Sequence, residues 1–141
     1  MHHVAIMSKS WGLIPKILSG GKTIESRWYQ TRRAPWGRVE VGDTIFFKNT
    51  GEGVSAQASV LRVEQIELGG ISDTIELVKQ YGKDICLPNH DPQTWGRVPR
   101  YCILMWLSSP IPIQPPFEIN KKGFGGPVAW ITTQDILSIK K

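Results

Sequence analysis

The chain reads as an α+β domain, mainly β: a small β-barrel of about six strands with two or three short helices. Three observations carry that expectation. Six runs rich in β-branched and aromatic residues are separated by glycine and proline breaks. Only two sizeable segments carry helical spacing, and both are short. The 141 residues suit a single domain, 1–141, with chain enough for a real core. Strand pairing that is mostly non-local, in one small domain, favours a closed or nearly closed barrel.

The first strand is expected over residues 2–8, with Val4 and Ile6 on one face. Ser10 is placed to cap a helix over 11–19 that turns Leu13, Ile17 and Leu18 inward. Pro15 fits only near its first turn, where a missing N–H costs least. Gly20 and Gly21 end that helix. Residues 23–29 form the second strand. Alternation sets Thr23, Glu25, Arg27 and Tyr29 on one face and Ile24, Ser26 and Trp28 on the other. Trp28 is therefore assigned to the core. Residues 30–42 are a loop, broken by Pro35, Gly37 and Gly42.

Residues 43–49 form the third strand, with Ile45 and Phe47 on one face. A turn at Gly51 leads into a long strand over 54–68, bent midway. A helix follows over 73–81, with Gly82 as its stop. Residues 86–100 are a polar connection with a helical turn near 92–96. The run 101–107 is apolar enough to be central. Four prolines within 108–116 block normal ladder pairing, so this stretch is an edge or extended segment. A short strand at 117–119, a basic glycine loop at 121–126, a last strand at 128–132 and a helical turn at 135–139 complete the chain.

The net charge of +5 is uneven: residues 1–50 carry +5, residues 51–120 carry −3 and residues 121–141 carry +3. A basic first third and tail favour an anionic partner, RNA or a nucleotide-like ligand. No apolar run is long enough to span a bilayer, and no basic segment leads into a long apolar stretch as in a signal peptide. Two cysteines, Cys86 and Cys102, fit reduced thiols. A cytoplasmic protein without a membrane role is expected. Cys86, His90 and Cys102 lack zinc-ligand spacing, so neither a metal nor a cofactor is expected.

The candidate site is the cluster Lys22, Glu25 and Arg27. Opposite charges two residues apart on a strand, beside a lysine in the turn, are costly to bury without partners, which points to a rim or cleft. Trp11 and Trp36 flank loops and are stacking candidates for a base. Arg32, Arg33 and Lys48 are candidates for phosphate contacts, as is Arg38. Asn49, at a strand end, is a candidate reader of a base edge. The glycine loop at 121–126 is a weaker phosphate candidate that matches no P-loop pattern.

Residues 17–27 resemble the signature of the ASCH domain, Gly-x-Lys-x-x-Glu-x-Arg. Gly20, Lys22, Glu25 and Arg27 match all four fixed positions. Val41, Gly42 and Asp43, leading into an apolar strand, look like the family's second hallmark. The match covers roughly residues 4–65. The resemblance implies a PUA-like barrel, a cleft lined by the motif, and a role in RNA or nucleotide chemistry. Two activities follow from it. One is an RNA- or nucleotide-binding module. The other is a hydrolase acting on modified nucleosides, similar to the acylcytidine amidohydrolases, or a ribonuclease, with Lys22 and Glu25 as the catalytic pair. The amidohydrolase group carries a Thr nucleophile where this chain has Glu25, and a carboxylate attacking an amide would give a different intermediate.

Overall fold

The computed structural model describes residues 1–124 and 128–141. Its six strands are β1 (His2–Met7), β2 (Ile24–Tyr29), β3 (Thr44–Asn49), β4 (Val54–Glu67), β5 (Tyr101–Phe117) and β6 (Trp130–Thr133). They form one sheet in the order β2-β5-β4-β3-β1-β6. Every neighbouring pair is antiparallel except β1 and β3, which run parallel. Two α-helices, α1 (Leu13–Ser19) and α2 (Ile71–Ile85), complete the PUA-like α+β architecture.

The sheet curls until its edge strands approach one another. Arg27 on β2 reaches across the gap, with its guanidinium 3.3 Å from the Ala129 carbonyl and 3.5 Å from the Ile6 carbonyl. Side-chain bonds, rather than a β ladder, thus span the opening. Both faces of the sheet are covered, which explains unbroken apolar runs such as Val4-Ala5, Phe46-Phe47 and 102–105. Ala5, Ile45, Phe47, Ala56, Ile103 and Met105 pack against Leu13, Ile14 and Ile17 of α1. On the other side, Ile24, Cys102 and Leu104 pack against Ile85 of α2. Val4, Phe46, Val54 and Ile131 pack under the C-terminal residues Ile136 and Ile139.

Four boundaries depart from the sequence expectation. The helix expected over 11–19 starts at Leu13, because Gly12 adopts φ +62° and splits off a separate 3₁₀ turn, Lys9–Trp11. The helix expected over 73–81 runs from Ile71 to Ile85, 15 residues, so it is not short. Gly82 lies inside it rather than ending it. A Cβ there would stand 3.0 Å from Nδ1 of His90, so the glycine lets the 86–100 connection fold closely over α2. The expected central strand and the proline stretch are one strand, β5. Its prolines fall beyond Trp106, where β2 no longer flanks it, and the ladder to β4 shifts register to pass them. The expected strand at 117–119 reduces to the end of β5 and one bridge, Ile119 to Lys140. The glycine loop expected at 121–126 lies partly outside the described residues.

Candidate ligand-binding site

The edge position of β2 creates the site. The carbonyls of Thr23 and Tyr29 accept from Leu107 and Arg100, so the odd-numbered backbone groups of β2 face β5. Those of Ile24, Ser26 and Trp28 therefore face away, along a free edge. That edge floors a cavity of about 660 Å³. Its walls come from the end of β1 and the following 3₁₀ turn on one side, and from the 86–100 connection on the other. The size suits a nucleotide-sized ligand.

The motif satisfies part of the free edge from its own side chains. Gly20, at φ +83°, turns the chain out of α1, and the Lys22 N–H bonds back to the Lys16 carbonyl at 2.9 Å. Lys22 is 2% exposed. Its Nζ donates to the Ile24 carbonyl at 2.8 Å and to the Ile85 carbonyl at 2.6 Å, and lies 3.6 Å from Glu25 Oε1. Ile85 is the last residue of α2, where open carbonyls favour a cation. Glu25 is also buried. Its Oε1 accepts the Ser26 N–H at 2.9 Å. Its Oε2 accepts no hydrogen bond from the described residues and stands 3.9 Å from the Arg27 guanidinium. Arg27 lies over the Trp130 ring at 5.3 Å. Between the two sheet edges it serves as a clamp as much as a cavity wall.

Three indoles line the cavity: Trp11, Trp28 and Trp95. Trp28 donates its Nε1–H to Ser26 Oγ at 2.9 Å, and Trp95 donates to the Asn89 carbonyl at 3.1 Å. The two rings meet edge to face at 5.2 Å. With both N–H groups engaged, these rings offer carbon surface and π faces to an occupant. Trp11 stands 51% exposed at the mouth.

Of the residues singled out in the sequence, Lys22, Glu25, Arg27 and Trp11 converge on this cavity. Trp36 lies away from it, edge to face with Tyr101. Arg32 stacks over both of those rings and pairs with Glu67. Arg33 lies over the Tyr29 ring at 4.8 Å, beside a second hollow. Lys48 is buried. Desolvation, with Lys121 nearby, holds its ammonium below the ordinary lysine range, and its Nζ donates to the Asn49 carbonyl at 3.2 Å. The Asn49 amide donates to Glu52. Trp28 is not core, as alternation had placed it, but half-buried in the cavity wall: a pocket over an edge strand is reached by both of that strand's faces. Trp28, Trp95 and Asn89 are the site residues that sequence reasoning missed. Among the described residues no three His, Cys, Asp or Glu side chains gather as metal ligands.

Fold and site together define a PUA-like α+β module with an aromatic cavity at the free edge of one strand. No family model and no curated protein sequence matches the chain. Solved structures do. The ASCH protein from Zymomonas mobilis is similar at 19% identity, with a TM-score of 0.67 over 99% of this chain and 96% of that one. A variant of that protein matches at 18% identity and a TM-score of 0.66, over 99% of both chains. A hypothetical protein of unstated role matches 80% of this chain at 16% identity and a TM-score of 0.50. At such identities the likeness establishes the fold. The chain has the ASCH fold that Gly20, Lys22, Glu25 and Arg27 led the sequence reading to expect.

Proposed function

We propose that the cavity binds RNA or a nucleotide-sized ligand by accepting a base. The observation that carries this reading is Glu25, a buried carboxylate lining an aromatic cavity, whose Oε2 accepts no hydrogen bond from the described residues and has only the Arg27 guanidinium, at 3.9 Å, beside it. A buried polar atom left unpaired costs roughly 1–3 kcal/mol. An occupant whose N–H reaches it, as the adjoining Arg27 guanidinium draws aside, recovers that cost on binding. Nucleobases combine such donors with flat faces that stack on indoles. The net charge of +5 favours a polyanion as the source of the base.

A hydrolase has less to stand on. Two of the three protons on Lys22 Nζ go to backbone carbonyls, and Ser26 Oγ is engaged by Trp28. Glu25 stands where the amidohydrolase chemistry uses a threonine.

The test is titration of a mixed single-stranded RNA pool and of the four nucleoside monophosphates, followed by quenching of tryptophan fluorescence at low and high salt. Saturable quenching by at least one of them, weakened by salt for RNA, is the expected result. No binding at low salt sinks the reading. Release of free cytidine from acylated cytidine, or cleavage of the RNA, that vanishes in Lys22→Ala would replace it with the hydrolase.

A further inference from the structure

A second hollow, of about 360 Å³, adjoins the first and shares Trp28, Tyr29 and Trp95 with it. The edge-to-face indole pair is therefore a partition with a surface on each side. The chemistry changes across it. The first hollow is lined by Glu25, whose Oε2 accepts no hydrogen bond from the described residues and stands 3.9 Å from Arg27. The second is lined by Arg33 and Arg97 and, among the described residues, by no acidic one. Among the described residues neither arginine forms an ion pair with a carboxylate, and both are exposed. Arg33 lies over the Tyr29 ring at 4.8 Å, a contact through the ring face that leaves its N–H groups able to donate. Guanidinium groups of this kind match phosphate oxygens in geometry and charge.

We propose that the occupant is single-stranded nucleic acid of at least two nucleotides. One base enters the cavity above Glu25. The adjoining phosphate crosses the Trp28–Trp95 partition and lies against Arg33 and Arg97, with the next nucleotide on the outer side. This rests on the base-binding reading of the first cavity and extends it. A free nucleoside fills only one of two connected hollows. A cation such as a methylated ammonium would meet the carboxylate but find two arginines where nucleic acid places its phosphate.

The test compares ribonucleosides, the matching dinucleoside monophosphates and single-stranded six-mers of RNA and of DNA, with wild type and with Arg33→Ala/Arg97→Ala. Both arginines are exposed, so the variant is expected to fold; a thermal melt checks this, and Arg33→Lys/Arg97→Lys serves as the charge-retaining control. The dinucleoside monophosphate is expected to bind at least about tenfold more tightly than the nucleoside. The alanine variant is expected to erase that gain, leave nucleoside affinity unchanged and flatten the salt dependence of six-mer binding. The lysine variant is expected to restore part of the gain. Equal affinity for nucleoside and dinucleoside monophosphate, or an alanine variant that weakens both alike, overturns the two-nucleotide proposal while the base pocket stands. No binding by any of these probes overturns both. The RNA and DNA arms identify which sugar the outer hollow accepts.

Discussion

Lys22 Nζ donates a 2.6 Å hydrogen bond to the carbonyl of Ile85, joining the edge strand of the sheet to the last residue of α2. With its second bond, to the Ile24 carbonyl, and Glu25 at 3.6 Å, this lysine acts from a buried position as the cross-tie of the motif. Replacing it with the similarly long but apolar Met leaves two buried carbonyls without a donor and Glu25 without its nearest cation. Lys22→Met is expected to cost about 3–5 kcal/mol of stability, read as a lowered urea midpoint with an unchanged slope. A loss under about 1 kcal/mol would mean that the lysine is free to act on a ligand instead.

Glu25→Gln tests the acceptor, with a thermal melt alongside because it also removes the charge that faces Lys22 and Arg27. The amide has nearly the shape of the carboxylate and can still accept the Ser26 N–H through its oxygen. Its NH₂ then takes the place of Oε2 and turns an acceptor into a donor. Affinity for an occupant that offers an N–H there is expected to fall by about tenfold or more, in line with roughly 1–3 kcal/mol for an unmatched buried group. Titration of the same ligand against both proteins checks it. Unchanged affinity would remove Glu25 Oε2 from the recognition surface.

The contiguous part of this site was legible in the sequence, and the assembled part was not. Gly20, Lys22, Glu25 and Arg27 lie within eight residues, and a glycine turn into a strand fixes their relative placement locally. Trp28 was misplaced because alternation says which face a residue takes, but not whether its strand has a neighbour on each side. Only the strand order shows β2 as an edge with both faces open to a cavity. Trp95 sits in a polar stretch that gains its position by folding over α2, through the space left at Gly82. The prolines of β5 look like the end of a strand. They are tolerated because β2 stops at the register of Trp106 and leaves their side of the ladder unclaimed. In each case the missing information was long-range pairing.

Trp11 offers a test of stacking with little structural cost. It is 51% exposed, in a three-residue 3₁₀ turn with no buried residue. Trp11→Ala is expected to change folding stability by no more than about 0.5 kcal/mol, as for most surface sites. If its indole stacks on a bound base, affinity is expected to drop by about 1–3 kcal/mol, roughly 5- to 150-fold. Paired melts and ligand titrations distinguish the two quantities. A variant that binds as wild type does would leave stacking to Trp28 and Trp95.

His3 gives the fold an acid sensitivity of definite sign. Its ring is fully buried. Nδ1 lies 3.2 Å from the Trp130 Nε1–H and 3.0 Å from Thr132 Oγ1, and Nε2 lies 2.8 Å from Asp43 Oδ2. An indole N–H can only donate, so Nδ1 is the acceptor and Nε2 carries the proton: the folded state holds a neutral imidazole. Burial keeps the His3 pKa below its ordinary 6.5, against the opposing pull of Asp43. Asp43 itself is held below its ordinary 3.8: burial pushes it up, but the bonds from His3 and from the Glu40 N–H outweigh that. As pH falls through about 6.5, the unfolded chain protonates His3 before the folded one does, so stability declines until the folded-state value is passed. The Asp43 contribution is lost only at still lower pH, below 3.8. Tm is therefore expected to fall as pH is lowered from 7.5 to 5.5. His3→Gln, which can still donate to Asp43, is expected to lower Tm at pH 7.5 and to flatten that acid slope. A wild-type Tm that stays level across this range, or a slope that survives in His3→Gln, would move the acid response away from His3.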